Sequence, residues 1–502
     1  MKKNLLLFLA AGLTFSTVQS QEMKDAMRYA QSELQGTARF TSMSGAFGAL
    51  GGDLSSININ PAGSAVFNNN QFAATMGSYD VDNDSKYFGG STSSGQNNFD
   101  INQAGGVFVF KTRDPDNDLR KISFSINYEN TNNYDNSLFS AGVNPIHSID
   151  EYFLSYANTN DVSLGLITNN NYADLDNGPQ QAYLGYWGFV INPVSDTDTN
   201  TLYTSNVRSG GNYYHENSTY SSGHNGKLIF NSAIQIKDFL YIGLNLNSHF
   251  TDYVQNSTFY ESNNNSLDSN YEVSSLNFSN NLHTYGSGFS FQAGAIAKLT
   301  NEIRLGFAYE SPTWYNLKDE FSQRLSTVIT NNANSMPKVV DPLTTNYYAP
   351  YDLQTPGSLT GSFSYVFGKT GLISVDYKYK DYSQTQFGPE NDPYFRGLNN
   401  AMHNALGSSN EIRAGAEYRI QNLKLRGGYR FEGSPYNDSV TIGDLNSFSG
   451  GLGYSFGVIK LDFSYVHTHS TSQEQFFSQG FTERARINTY KNNFTMTFTF
   501  EM

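Results

Sequence analysis

Glu411-Ile412-Arg413-Ala414-Gly415-Ala416-Glu417-Tyr418-Arg419-Ile420 alternates without a break between two kinds of side chain. Successive residues of a β-strand point to opposite faces, so Ile412, Ala414, Ala416, Tyr418 and Ile420 collect on one side. Glu411, Arg413, Gly415, Glu417 and Arg419 collect on the other. The same period recurs along the chain: Phe363, Tyr365 and Phe367 alternate with Ser362, Ser364 and Val366. Ile373, Val375, Tyr377 and Tyr379 alternate with Ser374, Asp376, Lys378 and Lys380. At the chain end Phe494, Met496, Phe498, Phe500 and Met502 alternate with Thr495, Thr497, Thr499 and Glu501.

Fourteen such segments follow residue 70, near 71–82, 100–112, 120–133, 225–237, 239–260, 283–299, 302–316, 356–368, 371–387, 409–421, 423–433, 445–457, 459–471 and 488–502. Beyond the first long connection every second link is short, as at Lys237-Asp238, Thr300-Asn301, Lys369-Thr370 and Gln421-Asn422. The others are long, the extreme running from Tyr134 to His224. An even strand count with short turns at one end and long loops at the other is the outer-membrane pattern. The expected fold is therefore all-β, a transmembrane antiparallel β-barrel of 14 strands. Its apolar faces meet lipid, where one Arg or Lys near the midplane costs about 2–4 kcal/mol. The charged faces, with Arg304, Asp376, Lys378, Glu411, Arg413, Glu417, Arg419 and Arg426, then line a salt-bridged lumen.

Composition agrees. The 502 residues are 38% hydrophobic yet 15% aromatic, with 35 Tyr and 37 Phe against 2 Trp, and the mean hydropathy is -0.48. Those values exclude a helical membrane protein and suit a wall in which only alternate residues touch lipid. Lys2 and Lys3, an apolar core from Leu5 to Leu13 and Val18-Gln19-Ser20 make residues 1–20 a signal peptide, which places the chain in the bacterial outer membrane. The absence of Cys removes disulfides and thiolate chemistry. A formal charge of -14 argues against nucleic acid as a partner.

Before the strands, Gln21 to Leu34 carries Met23, Ala26, Met27 and Ala30 at helical spacing. Gly36 to Phe67 is rich in Gly, Ala and Ser, with too few large apolar residues for a core of its own, and is read as a plug. Its Gly45, Gly48, Gly51 and Gly52 are not a phosphate loop, because no Lys-Ser/Thr pair follows. The chain thus divides into a signal peptide (1–20), an N-terminal helix and hatch (21–69) and a barrel with long extracellular loops (70–502).

Gly45-Ala46-Phe47-Gly48-Ala49-Leu50-Gly51-Gly52-Asp53, followed by Asn60-Pro61-Ala62-Gly63, resembles the N-terminal hatch of the FadL/TodX family of outer-membrane transporters. Tyr309-Glu310-Ser311-Pro312-Thr313 is similar to a strand-end pattern of that family. The resemblance implies a 14-stranded barrel plugged by its amino terminus and passive transport of long-chain fatty acids or other hydrophobic small molecules. In such a route each methylene kept from water is worth about 0.8 kcal/mol. It assigns gating to Gly45, Phe47, Gly48, Asn60, Pro61, Ala62 and Gly63, and implies contact with outer-membrane lipid and with the barrel assembly machinery that reads the last strand. Arg304, Lys378 and Arg426 are the candidate groups for pairing a substrate carboxylate. No catalytic residue, cofactor or metal is expected.

Three other functions compete. A haemin receptor would use His467 and His469, two apart near the outer end of a strand. A barrel-wall enzyme would need a Ser beside a His, but Ser248 and His249 are strand neighbours and face opposite ways. A general porin would leave the lumen open. The 134–224 loop, with Leu154, Leu164, Leu166, Ile167, Tyr183, Leu184, Tyr186, Trp187 and Phe189, is either a capture site or, on the preferred reading, a folded cap.

Overall fold

The computed structural model describes residues 21–114, 116–266 and 270–502; the signal peptide expected at 1–20 lies outside them. Fourteen strands close into one antiparallel barrel. They are β1 (Gln71–Tyr87), β2 (Gly90–Lys111), β3 (Leu119–Asn133), β4 (Tyr213–Ile236), β5 (Leu240–Asn263) and β6 (Glu272–Lys298). β7 comes in two lengths, Ile303–Glu310 and Trp314–Thr330. β8 (Ser358–Phe367), β9 (Gly371–Asp381), β10 (Ser408–Ile420) and β11 (Leu423–Glu432) follow. β12 (Ile442–Ser455), β13 (Ile459–Gln475) and β14 (Arg484–Glu501) complete the wall. Closure is made by β14 pairing with β1 from Gln71↔Glu501 to Lys86↔Arg486, which leaves no sheet edge in lipid.

The wall is inverted relative to a soluble protein. On β10, Ile412 and Tyr418 are 44% and 55% exposed, whereas Glu411, Arg413 and Glu417 are 6%, 7% and 3% exposed. A polypeptide that shows water its isoleucines and hides its carboxylates is not in water on that side. This is a transmembrane barrel of the outer-membrane kind.

Each of the fourteen alternating segments contains a strand. That expected at 371–387 ends at Asp381 and turns through Tyr382–Gln384, that at 302–316 breaks at 311–313, and several others reach farther than alternation shows. The stretch 83–99, expected as a connection, continues β1 and β2 as a hairpin closed by Phe88 and Gly89. Its residues are polar on both faces, so the period-two signal fades once the strands leave the lipid. The 134–224 connection contributes a further strand, Asn136–Asn144, on the edge of β4. It then folds as helices Asp150–Thr159, Leu164–Asn169 and Asn177–Trp187. Leu164, Ile167 and Leu184 are buried there with Phe153, and Leu154, Tyr183, Tyr186 and Phe189 pack against them. The cluster extends to Phe259, Phe278 and Leu325 on strand extensions and to Phe477 and Phe481 before β14. Only Leu166 and Trp187 of the nine apolar residues are exposed, so this loop is a cap and its apolar surface is its core.

The chain from Gln21 to Asn70 runs inside the barrel. It begins among the outer loops with helix α1 (Met23–Ala30), turns through α2 (Ala38–Thr41) and two short 3-10 segments at Ser55–Asn58 and Pro61–Val66, and leaves at the end where β1 starts. Glycine makes this path feasible: Gly45, Gly51 and Gly52 hold positive φ of 74°, 61° and 67°, a region that other residues enter at a cost. Glycines in the wall matter as much. A Cβ at Gly243 would overlap the Pro61 carbonyl, one at Gly294 the Asn60 side chain, and one at Gly306 the Gly48 carbonyl.

Replacing Gly306 by Val should therefore leave the barrel folded, as judged by heat-modifiable migration, but unseat the plug. Steady ion current in planar bilayers, against almost none for the parent, is the expected readout. In the cap, His147 bonds Glu151 at 2.6 Å and lies 3.6 Å from Glu483 of the neighbouring loop. The hydrogen bond to Glu151, with the charge of Glu483 adding to it, raises the His147 pKa above its ordinary value. The stabilisation is complete below the unfolded-state pKa of about 6.5 and is lost as pH rises through the raised one. Amide protection in Asp150–Thr159, taken relative to the intrinsic exchange rate at each pH, should fall between pH 5 and pH 8, and His147→Gln should abolish that fall.

Candidate functional site

Asn60 is the best-connected side chain of the plug. Its Oδ1 accepts from the Ala62 amide at 3.1 Å, which caps the turn begun by Pro61. Its Nδ2 donates to the carbonyl of Gly48 at 2.8 Å and to that of Ala295 on β6 at 3.0 Å, with Phe307 on β7 at 3.4 Å. One amide thus joins the two Gly-rich halves of the plug to each other and to the wall. Wall amides grip the same region: Asn245 donates to the Ile57 carbonyl, Gln292 to Asn58 and Asn231 to Pro61, each at 2.9 Å. On the far side Asp376 of β9 accepts from the amides of Phe47 and Gly48, both at 3.0 Å. Gly45, Phe47, Gly48, Asn60, Pro61, Ala62 and Gly63 are therefore all buried in one contact between plug and wall.

Hydroxyls of β12 to β14 make a further contact, Ser449 with Ser44 at 2.8 Å, Ser464 with Thr41 at 2.7 Å and Thr497 with the Ala38 amide at 2.7 Å, and charge makes another. Glu417 on β10 is met by Arg39 of the plug at 3.2 Å and by Arg419 and Arg426 of the wall at 2.7 Å each. Arg426 also reaches Asp462 on β13 at 2.6 Å. A second group joins Glu411 to Arg413 at 2.7 Å and to Arg430. The three carboxylate-pairing candidates consequently have different surroundings. Arg426 is committed to two acids, Arg304 donates to the Leu50 carbonyl of the plug at 2.9 Å, and Lys378 lies 3.4 Å from Glu310 on the rim of a cavity.

That cavity sits above the plug, with an open volume of about 90 Å³. Lys227, Lys378, Lys380 and Arg413 bring four cations to it, and Glu33 and Glu310 two acids. Lys227 and Lys380 were not distinguished by sequence, because alternation gives the face of a residue but not its depth. The space holds a few waters, since a ligand pocket is typically roughly 300–1,000 Å³. Above it lies an apolar chamber whose walls include Tyr134, Tyr253, Tyr315, Leu353, Phe387 and Phe395. Helix α1 fills that chamber with Ala26, Met27, Tyr29 and Ala30.

No protein-family model matches the sequence, and no curated protein sequence does. Solved structures do match. A Pseudomonas aeruginosa FadL homologue aligns over 94% of this chain and 99% of its own, with a TM-score of 0.55 at 12% identity. This chain has the FadL fold. The Pseudomonas putida toluene transporter TodX shares the FadL fold too, with a TM-score of 0.52 at 14% identity over 94% of this chain and 99% of that one.

Other residues singled out by sequence lie elsewhere on the FadL fold. His467 and His469 are on the outer side of β13, stacked against Tyr490 with ring centroids 6.3 and 4.8 Å away. Ser248 faces out and His249 faces in. The hydroxyl that His249 meets is Ser290 on β6, 2.8 Å from Nε2, and its Nδ1 faces the Tyr315 hydroxyl at 3.4 Å. The orienting acid of a hydrolytic triad is not at that nitrogen.

Asn60→Ala should strand the Ala62 amide and the Gly48 carbonyl. A cost of about 2–4 kcal/mol is expected, read as earlier proteolysis of the plug while the barrel stays heat-modifiable. Arg426→Ala should cost about 3–5 kcal/mol, because Asp462 loses its ion-pair partner while Glu417 keeps Arg39 and Arg419. A lower temperature for the heat-modifiable shift of the barrel is the expected readout, and an unchanged one would contradict a structural role for Arg426.

Proposed function

We propose that this chain carries hydrophobic molecules across the outer membrane without energy coupling, and that long-chain fatty acids are its preferred cargo. The observation that supports this reading is an aromatic chamber leading to a cavity rimmed by Lys227, Lys378 and Lys380 inside a plugged barrel. An alkyl chain gains by leaving water for the chamber. A carboxylate gains by reaching the lysines, which together with Arg413 outnumber Glu33 and Glu310 on the cavity lining. The plug closes the lumen to water and ions, and the segment from Gly45 to Gly63 acts as the hatch. Its hold on β4 to β6 is made by neutral amides, bonds that water can replace at small net cost. Its hold on β9 and β10 is made by Asp376 and Glu417, and we assign the hinge to that charged side. The FadL homologue and the toluene transporter share the fold, and in this chain the lysines favour an acid over a neutral hydrocarbon.

The test separates head group from chain. Lys378→Ala with Lys380→Ala should weaken binding of a long-chain fatty acid about tenfold, the scale of a lost charge-assisted hydrogen bond, and leave its methyl ester unaffected. Equal loss for acid and ester would contradict a carboxylate site. Retained binding of both would mean that the lysines do not meet the cargo.

A further inference from the structure

Helix α1 occupies the space that a hydrophobic chain would need. Its Ala26, Met27, Tyr29 and Ala30 are 0–5% exposed, enclosed by Tyr134 just after β3 and by residues from β5, β7 and the loops before β8, β10 and β12. The cavity below is lined by its last residues, Tyr29 and Ala30, and at about 90 Å³ is too small for a long alkyl chain. Removing α1 would merge this cavity with the chamber.

The docking of α1 is also incompletely matched. Arg28 Nη1 and Tyr134 Oη at its seat have no hydrogen-bond partner among the described residues, which weakens the docked state, while Tyr29 Oη belongs to a ring that lines the water-sized cavity below. Arg28 is held instead by Asp25 at 2.9 Å and by the face of Tyr253, 3.8 Å from the ring centroid. At eight residues α1 is far below the length at which a helix persists alone in water. Undocking and unfolding are then one event, and two side-chain hydrogen bonds hold its outer end: Gln21 donates to Asp319, and Tyr394 donates to the Gln21 carbonyl.

We infer that the chamber around α1 is the binding site for the apolar chain of the cargo, and that α1 is its built-in competitor, released when a hydrophobic molecule takes its place. This rests on the transport reading above. The free protein would bind its cargo with an affinity lowered by the fraction of molecules in which α1 is docked. Cargo and helix would exclude each other by using the same aromatic walls.

The experiment measures binding of cis-parinaric acid, a fluorescent fatty acid, to three purified chains in detergent. These are the parent, a chain lacking residues 21–31, and Met27→Pro, which breaks the helix without adding charge. Heat-modifiable migration confirms that each barrel is folded. Both altered chains should bind at least tenfold more tightly, and a synthetic peptide of residues 21–34 should displace the probe from the shortened chain. Equal affinities in the three chains, or a peptide without effect on the shortened one, would overturn the proposal and leave the transport reading standing. No binding by any of them would remove both.

Discussion

Glu417 is 3% exposed and shared by three guanidinium groups, and that arrangement states the constraint on which the molecule depends. A strand that turns its apolar residues to lipid must turn the others inward. A closed 14-stranded wall therefore gathers its charges in a space with little water. A buried charge left alone is costly, so each must find a partner inside. Wall residues supply most of the partners. The plug supplies Arg39 to Glu417 and two amides to Asp376, and is thereby part of the electrostatic completion of the barrel as well as its stopper.

Contrary to the expectation from sequence, the plug carries a small apolar cluster of its own, Leu34, Phe40, Met43, Phe47 and Leu50, closed by Leu372 and Val466 of the wall, and the rest of it is ordered by the wall. Its ordering comes from wall amides that meet its carbonyls at Ile57, Asn58 and Pro61, and from glycines that let two backbones approach. Neutral amides hold it on β4 to β6, Asp376 and Glu417 on β9 and β10, and serine and threonine hydroxyls on β12 to β14, so the attachment is uneven. An uneven attachment is what a hinged element requires. Above the plug the lumen changes character, from amide and charge to tyrosine and phenylalanine, and α1 lies at that boundary.

Much of this was legible in the sequence, for a definite reason. Lipid imposes a period of two, so Ile412 to Ile420 or Phe494 to Phe500 declare both strand and face, and all fourteen segments could be found. The signal stops where lipid stops. Asn83 to Phe99 is strand, but with polar residues on both faces it reads as loop. Depth is equally silent: Arg304, Lys378 and Arg426 share a face, yet one meets a plug carbonyl, one a cavity and one two acids. Gly45 to Gly52 stand out in the sequence as a cluster, while the wall glycines that meet the plug, Gly243, Gly294 and Gly306, are hidden within ordinary strands. The amphipathic spacing of Met23 to Ala30 announced a helix without announcing that its apolar face would fill the upper lumen.

The central claim is that a hydrophobic acid lies inside this barrel, with its chain among the aromatic residues and its head at the lysines. The most direct measurement is a crystal structure with a fatty acid brominated near its methyl end, located by anomalous scattering. The account predicts bromine among Tyr253, Tyr315 and Phe395 in place of α1, and carboxylate density beside Lys378 and Lys380. Bromine found only on the outer wall or among the exposed loops, with α1 still docked, would contradict it.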